Sequence, residues 1–421
     1  MSNITNYQEA INYLKTSPMF NLSLASKELF HSNFLYWLSI IDKQLFKNLI
    51  EELGVETAKW PKDDTMWDVK REFNNFDLSV VANDKILLVI ENKVKSIPTH
   101  KQLEEYDEKI KKVNKEYLSK ENKLLLSLTK PNFETGSWTW VEYGSICKYL
   151  KKYTQGIDGY YKHLIQDYTK FIEALLIIVT NWENSSQDNS RYLLDYKVKE
   201  YSDQEIKEDA YNSSDICELT HKYYHDAKEL RIHDLYGKYR TILLVEKLKE
   251  ILSKNRNIKA QGIKIEPQMA YTRSQPIFEV KITGIGEVGS EDNKIEPEAF
   301  FISIQGEQYR HAINTRCSDN DNKEIRKEDS IERIRKQGKK WNWFMNPDIH
   351  PKDNESFYPA NKILNKSSQR NNICSYSGSG RVYYIYQYKN INKNSTIKDV
   401  LKAMVDDIEN IVNQLNTINK A

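Results

Sequence analysis

No stretch of this sequence approaches the roughly 18 consecutive apolar residues that a membrane-spanning helix needs, and the opening Met1-Ser2-Asn3-Ile4-Thr5-Asn6 lacks the basic and then apolar pattern of an export signal. The expectation is a cytoplasmic protein with no membrane partner. Cysteine is scarce: Cys147, Cys217, Cys317 and Cys374 are widely scattered and form no Cys-x-x-Cys pair, which argues against a zinc ribbon, a thioredoxin-like motif or a disulfide framework. They read as reduced, mostly buried thiols. Charge of one sign is missing as well, since 62 basic residues against 60 acidic ones leave +2. No global field therefore draws the chain onto nucleic acid or acidic lipid, and any polyanion partner must be met by a local patch. Internal repeats and long low-complexity tracts are absent too.

What is present is enough for a large core. The chain has 421 residues, 39% of them hydrophobic, and this length points to two domains. From Leu22 to Leu53 the apolar residues Phe30, Phe34, Leu38, Ile41, Leu45 and Leu49 recur at helical spacing, predicting one long amphipathic helix with Ser23 or Ser26 as its cap. After Pro61 the period changes. Trp67 to Phe73, Phe76 to Ala82 and Lys85 to Glu91 read as three antiparallel strands. Pro98 opens a helix with Leu103, Tyr106, Ile110, Val113 and Tyr117 on one side. Leu124 to Leu128 reads as a buried fourth strand, Trp138 to Tyr143 as a fifth, and Ile146 to Tyr153 and Tyr161 to Trp182 as helices.

The polar run Glu183 to Ser190 marks the domain boundary, giving a first domain over 1–183, a linker over 184–205 and a second domain over 206–421. In that second part Asp215 to Leu230 and Leu235 to Leu252 read as helices, Ile263 to Ile313 and Arg381 to Tyr388 as β structure, and Ile397 to Ile418 as a closing helix.

Chemistry concentrates in the second and third strands. Glu91 and Lys93 are two apart, so in an extended strand an acid and a base project from one face. Whether Asp77 joins them depends on register. A two-residue turn, Asn83-Asp84, sets Asp77 opposite Ile90 and away from Glu91. A three-residue loop, Asn83-Asp84-Lys85, sets Asp77 opposite Glu91 and leaves Phe76, Leu78, Val80, Ala82, Ile86, Leu88 and Ile90 as a wholly apolar face. Burial favours the odd loop, and the odd loop assembles an acidic site. Two carboxylates at one point call for a cation between them, and such hard oxygen donors suit Mg2+ or Mn2+. A lysine beside them can neutralise a phosphate or hold an attacking water, so these residue types point to a metal-dependent phosphodiesterase. A Glu-x-Lys pair at a strand end is also common on solvated surfaces, and the pair gains weight here from Asp77 and the apolar hairpin around it.

Asp77 with Glu91-Asn92-Lys93, inside this α-β-β-β-α-β order, resembles the PD-(D/E)XK nuclease superfamily. Phe76 stands where the motif has proline. Ser26 to Leu35 is similar to the first-helix segment of the branch related to RecB nucleases, and Gln102 to Tyr106 is similar to that branch's Gln-x-x-x-Tyr motif. The likeness covers roughly residues 20 to 180. It implies a mixed α/β fold, a restriction-endonuclease-like core with a mixed central sheet, to which residues 206–421 add an α+β domain. It further implies Asp77, Glu91, the Asn92 carbonyl and Glu28 as metal ligands, Lys93 orienting or activating water, and Gln102 and Tyr106 contacting substrate or ordering the site. Glu72 as an added carboxylate and His31 as a phosphate contact are further candidates, and four of these residues have plainer readings: Glu28 as a first-turn carboxylate favouring the helix dipole, Tyr106 as core, Glu72 as a solvated strand end and His31 as packing.

In the second half Arg333, Arg335, Lys336, Lys339 and Lys340 run into Trp341, Trp343 and Phe344, a mixture that can hold a nucleic-acid backbone while stacking bases. A solvated helix with an aromatic anchor is the other reading, and Glu328, Asp329 and Glu332 dilute the charge. The expected partner is nucleic acid, DNA ahead of RNA, with a homodimer or protein partner met through 206–421. The resemblance extends to restriction or antiphage-defence nucleases. Two other functions fit: a non-catalytic nucleic-acid-binding module on the same fold, or a regulatory scaffold acting through the second domain.

Overall fold

The computed structural model describes residues 4–24, 28–94, 96, 98, 100–114, 118–155, 159–193, 216–255, 258, 262–272, 275–283, 297–316, 363–369, 374–377, 382–392 and 394–418. The chain forms two compact units, 1–183 with 224–239 and 184–223 with 240–421.

The first unit opens with α1 (Tyr7–Thr16), α2 (Pro18–Ser23), α3 (Glu28–Ile41) and α4 (Lys43–Glu52). The single long helix expected over Leu22 to Leu53 is thus broken, and Asp42 explains the second break: its side chain accepts from the Leu45 amide at 2.8 Å and caps α4. The Ser23 hydroxyl donates back to the Phe20 carbonyl at 2.6 Å, and Ser26 lies outside the described residues. Then follow β1 (Asp68–Arg71), β2 (Leu78–Ala82), β3 (Lys85–Lys93), α5 (His100–Asn114), β4 (Lys123–Ser127), β5 (Thr139–Glu142), α6 (Tyr143–Tyr153) and α7 (Tyr160–Trp182). The sheet order is β1-β2-β3-β4-β5. Strands β1 to β3 form the antiparallel meander, and β4 and β5 join parallel to β3.

This mixed sheet is buried on both faces. Leu103 and Ile110 of α5 pack with Phe76, Ile86, Val89, Leu125 and Trp138 on one side. On the other, α3 packs against β1 and β3. Long apolar strands such as Leu124 to Leu126, all fully buried, are what a doubly covered parallel segment requires. Cys147 is buried in α6, as expected of a reduced thiol, and burial pushes its pKa up.

The second unit is built on an antiparallel sheet. Its order is β10-β12-β9-β8-β7-β6, from β6 (Lys264–Thr272), β7 (Gln275–Thr283), β8 (Pro297–Gln305), β9 (Gln308–Arg316), β10 (Leu364–Gln369) and β12 (Val382–Ile391), with β11 (Cys374–Ser377) paired to β12. Helices α8 (Ile216–Glu229) and α9 (His233–Lys254) precede it, each running from one unit's residues into the other's, and α10 (Ile397–Ile418) closes the chain. Val400, Leu401, Met404 and Ile408 of α10 share a core with Val280, Phe300 and Ile302 of the sheet.

The stretch expected as a linker is part of this unit where it is described. Ser185 and Ser190 are fully buried, and Arg240 donates to the carbonyls of Arg191 and Tyr192 at 2.6 and 2.7 Å. The carbonyls of Asp188 and Ser190 accept from the Lys398 and Ile397 amides, satisfying the first turn of α10. The run is thus held through its main chain while most of its polar side chains face solvent. No helix among the described residues is long and apolar enough to cross a membrane.

Candidate active site

The register of the β2-β3 hairpin decides the site. The turn holds only Asn83 and Asp84, both left-handed (φ 47° and 61°), and Ala82 pairs with Lys85. This is the two-residue loop with positive φ at both positions, which short-side-chain polar residues tolerate. The three-residue loop expected from burial is therefore incorrect. The parity change it was needed for comes instead from a bulge: Val81 pairs with Ile86 but Val80 pairs with Leu88, leaving Leu87 extra. Beyond the bulge Leu78 pairs with Ile90, so one residue further on Asp77 faces Glu91. Asn114 at the end of α5 holds the bulge in place. Its side chain accepts from the Ile86 amide and donates to the Ile86 carbonyl, both at 2.9 Å, as a strand partner would.

Glu91 and Lys93 lie where β3 ends beside the end of its parallel neighbour β4, the edge at which open α/β sheets present their ligand sites. Glu91 is 1% exposed. Its Oε1 takes two donors, Lys93 Nζ at 2.5 Å and Gln102 Nε2 at 2.7 Å. Its Oε2 is buried and has no hydrogen-bond partner. Burial pushes the Glu91 carboxyl up to about 7; the Lys93 charge works against this, and the Asp77 carboxylate, within hydrogen-bonding reach, works with it. Asp77 in turn accepts from the Asn92 amide at 2.7 Å. One buried oxygen without a donor, next to a second carboxylate, is a site made for a proton or a cation. A divalent cation with hard oxygen preference fits this donor set.

Of the remaining expected residues, Gln102 and Tyr106 lie beside this pair. Gln102 and Tyr106 are one turn apart on α5, and Gln102 Nε2 also donates to the Tyr106 hydroxyl at 3.0 Å. Tyr106 is packed edge-on to Phe76, with centroids 5.2 Å apart, and burial followed by the Glu91 charge raises its pKa. Both α5 residues are thus engaged with Glu91 or the core. Glu28 is the first residue of α3; its side chain lies outside the described residues, as do Arg335 and Lys336 with the basic-aromatic run around them. Glu72 is exposed and left-handed at the end of β1. His31 is fully buried, with Nδ1 3.0 Å from the Tyr168 hydroxyl, and serves packing.

Two residues with a role here were not anticipated. The Asn92 side chain points away from the carboxylates, donating to Ser32 Oγ at 2.7 Å and accepting from the Tyr143 hydroxyl at 2.6 Å. Ser32 and Tyr143 thereby anchor the residue between Glu91 and Lys93 to α3 and α6. The signal for Ser32 was a hydroxyl on a helix face otherwise filled by Phe34, Leu35 and Leu38. Elsewhere, His225, Asp226 and Glu229 of α8 bring ligand atoms within 4.8 Å of one another, but Glu229 is already paired to Lys15 at 2.9 Å.

A family model described as the PD-(D/E)XK nuclease superfamily matches residues 19–239, just over half of the chain. The chain belongs to this superfamily. The match ends at Tyr239, the residue at which the first compact unit ends. No curated protein and no solved structure matches the chain.

Proposed function

We propose that this protein is a Mg2+- or Mn2+-dependent nuclease that hydrolyses phosphodiester bonds in DNA, with Asp77 and Glu91 as metal ligands. The observation that carries the reading is Glu91 itself: one oxygen is saturated by Lys93 and Gln102, and the other is buried, without a donor, beside Asp77. The main-chain carbonyl of Asn92 and the side chain of Glu28 complete the ligand set by likeness to the superfamily. A bound divalent cation supplies charge neutralisation at the scissile phosphate and acidifies water. The protein's own residues do the rest. Lys93, 13% exposed, holds its ammonium at the same edge, where it neutralises phosphate charge and orients the attacking water. Gln102 fixes the rotamer of Glu91, and Tyr106 fixes Gln102.

The second unit chooses the substrate or meets a partner, including a second copy of the chain. A role in restriction or antiphage defence follows from the likeness alone. The test is incubation of the full chain with linear, circular and single-stranded DNA and with RNA, in Mg2+, Mn2+ or EDTA. Metal-stimulated cleavage abolished by Lys93→Ala is the expected result. Cleavage that persists in EDTA, or none on any substrate, rejects the proposal.

A further inference from the structure

From the edge of the sheet that carries the carboxylates, α3 leads away with an unusual outer side. Ser32, on its inner side, is bonded to Asn92, so the helix starts at the candidate site. On the outer side Asn33 accepts from the Arg71 guanidinium at 2.5 Å, and the guanidinium lies over the Tyr36 ring at 4.5 Å. Arg71 and Lys70 are exposed neighbours at the end of β1, and Arg71 pairs with Leu78, the residue after Asp77. The next ring along α3 is Trp37, which meets Tyr161 of α7 with centroids 5.8 Å apart, and Tyr161 meets Tyr160 at 6.1 Å. Tyr160 is 72% and Tyr161 50% exposed.

Tyrosines this open contribute little to the fold, and with the half-buried rings of Tyr36 and Trp37 they extend a run that has a planar cation at its head. Its chemistry is that of a stacking platform: aromatic faces take unpaired bases in any sequence, while a guanidinium held flat on a ring takes a phosphate. A duplex keeps its base faces stacked on one another and has none to offer such rings. We infer that Arg71, Tyr36, Trp37, Tyr161 and Tyr160 form a track for single-stranded nucleic acid that runs along α3 to the cleavage site. This rests on the nuclease reading and adds to it the strandedness of the substrate.

The test separates binding from cleavage. Fluorescence anisotropy of the full chain with labelled single-stranded DNA, single-stranded RNA and duplex oligonucleotides is measured in EDTA, where no metal-dependent cleavage occurs. Tighter binding of at least one single strand than of duplex is expected. The double variant Tyr160→Ala/Tyr161→Ala should weaken single-strand binding about tenfold, at unchanged thermal unfolding, because both side chains are exposed. Arg71→Ala should weaken it and flatten its salt dependence. Parental single-strand affinity in the double variant, or equal affinity for duplex, overturns the track. A parent chain that cleaves in Mg2+ while the double variant binds normally rejects the track and leaves the nuclease standing. A parent chain that never cleaves but loses single-strand binding in the double variant does the reverse.

Discussion

Each unit of this protein buries a carboxylate with one oxygen saturated and the other bare. In the first, Glu91 Oε1 takes Lys93 and Gln102. In the second, Asp407 of α10 accepts at Oδ2 from the Tyr309 hydroxyl at 2.8 Å, with His311 Nε2 at 2.5 Å, while Oδ1 is buried without a partner. Burial and pairing are thus nearly the same, and the neighbours differ. Asp407 meets an imidazole and a phenol inside an apolar cluster, so it ties the last helix to β9. Glu91 meets a second carboxylate at a sheet edge, so its surroundings supply a charge that must be compensated. A buried acid becomes a candidate catalytic group through what stands next to it, rather than through burial itself.

The comparison breaks most visibly on activity. Asp77→Asn should abolish calorimetric Mn2+ binding and cleavage together, by about a thousandfold in single turnover. Lys93→Ala should lose similar turnover yet still bind Mn2+, because it removes a positive group the metal does not need. If Lys93→Ala cleaves like the parent, or Asp77→Asn binds metal unchanged, the assigned roles are wrong. Asp407→Asn should do the opposite, lowering unfolding stability by about 2–3 kcal/mol in urea while the folded fraction cleaves at the parental rate. A specific activity that falls with Asp407 would erase the distinction between the two acids.

A further effect concerns pH. Glu91 has a folded pKa raised to about 7 from 4.5, so between those values the metal-free folded state holds more protons than the unfolded chain. Stability of the metal-free protein should therefore be greatest below about pH 4.5 as far as this group is concerned. It should fall by about 3 kcal/mol as pH rises from 4.5 through 7. Denaturant titrations across that window should show the slope in the parent and lose it in Glu91→Gln. The smallest expected effect is that of Gln102→Ala, which removes one donor from Oε1 but leaves Lys93. A loss of about 1 kcal/mol, or roughly five- to tenfold in kcat with KM little changed, is expected from steady-state kinetics.

Periodicity alone located most elements. The strands at 68–71, 78–82, 85–93 and 123–127, the helices at 143–153 and 160–182, and the final helix at 397–418 all follow from apolar spacing. It failed where one polar residue acts locally, as when Asp42 ends one helix and caps the next. It failed again at the polar run after Glu183, whose main-chain carbonyls at Asp188 and Ser190 receive the first amides of α10. In the candidate site Glu91 and Lys93 were legible as a pair because a strand's two-residue period puts both on one face, whereas Asp77 was legible only as an acid at the foot of the same apolar hairpin.

How Asp77 reaches that face was decided only by the tertiary structure. Asn83-Asp84 makes a tight even turn, which by itself sends Asp77 to the wrong side, and the correction is one bulged leucine. That bulge is sustained by Asn114, 28 positions beyond Ile86. The same holds for Glu91, whose second oxygen is left bare because Lys93 and Gln102 both converge on the first. Residue type and spacing follow from the chain's local geometry, and so they are written in the sequence. The parity of a hairpin and the count of donors on one oxygen depend on side chains that only packing brings together, and local spacing carries no record of them.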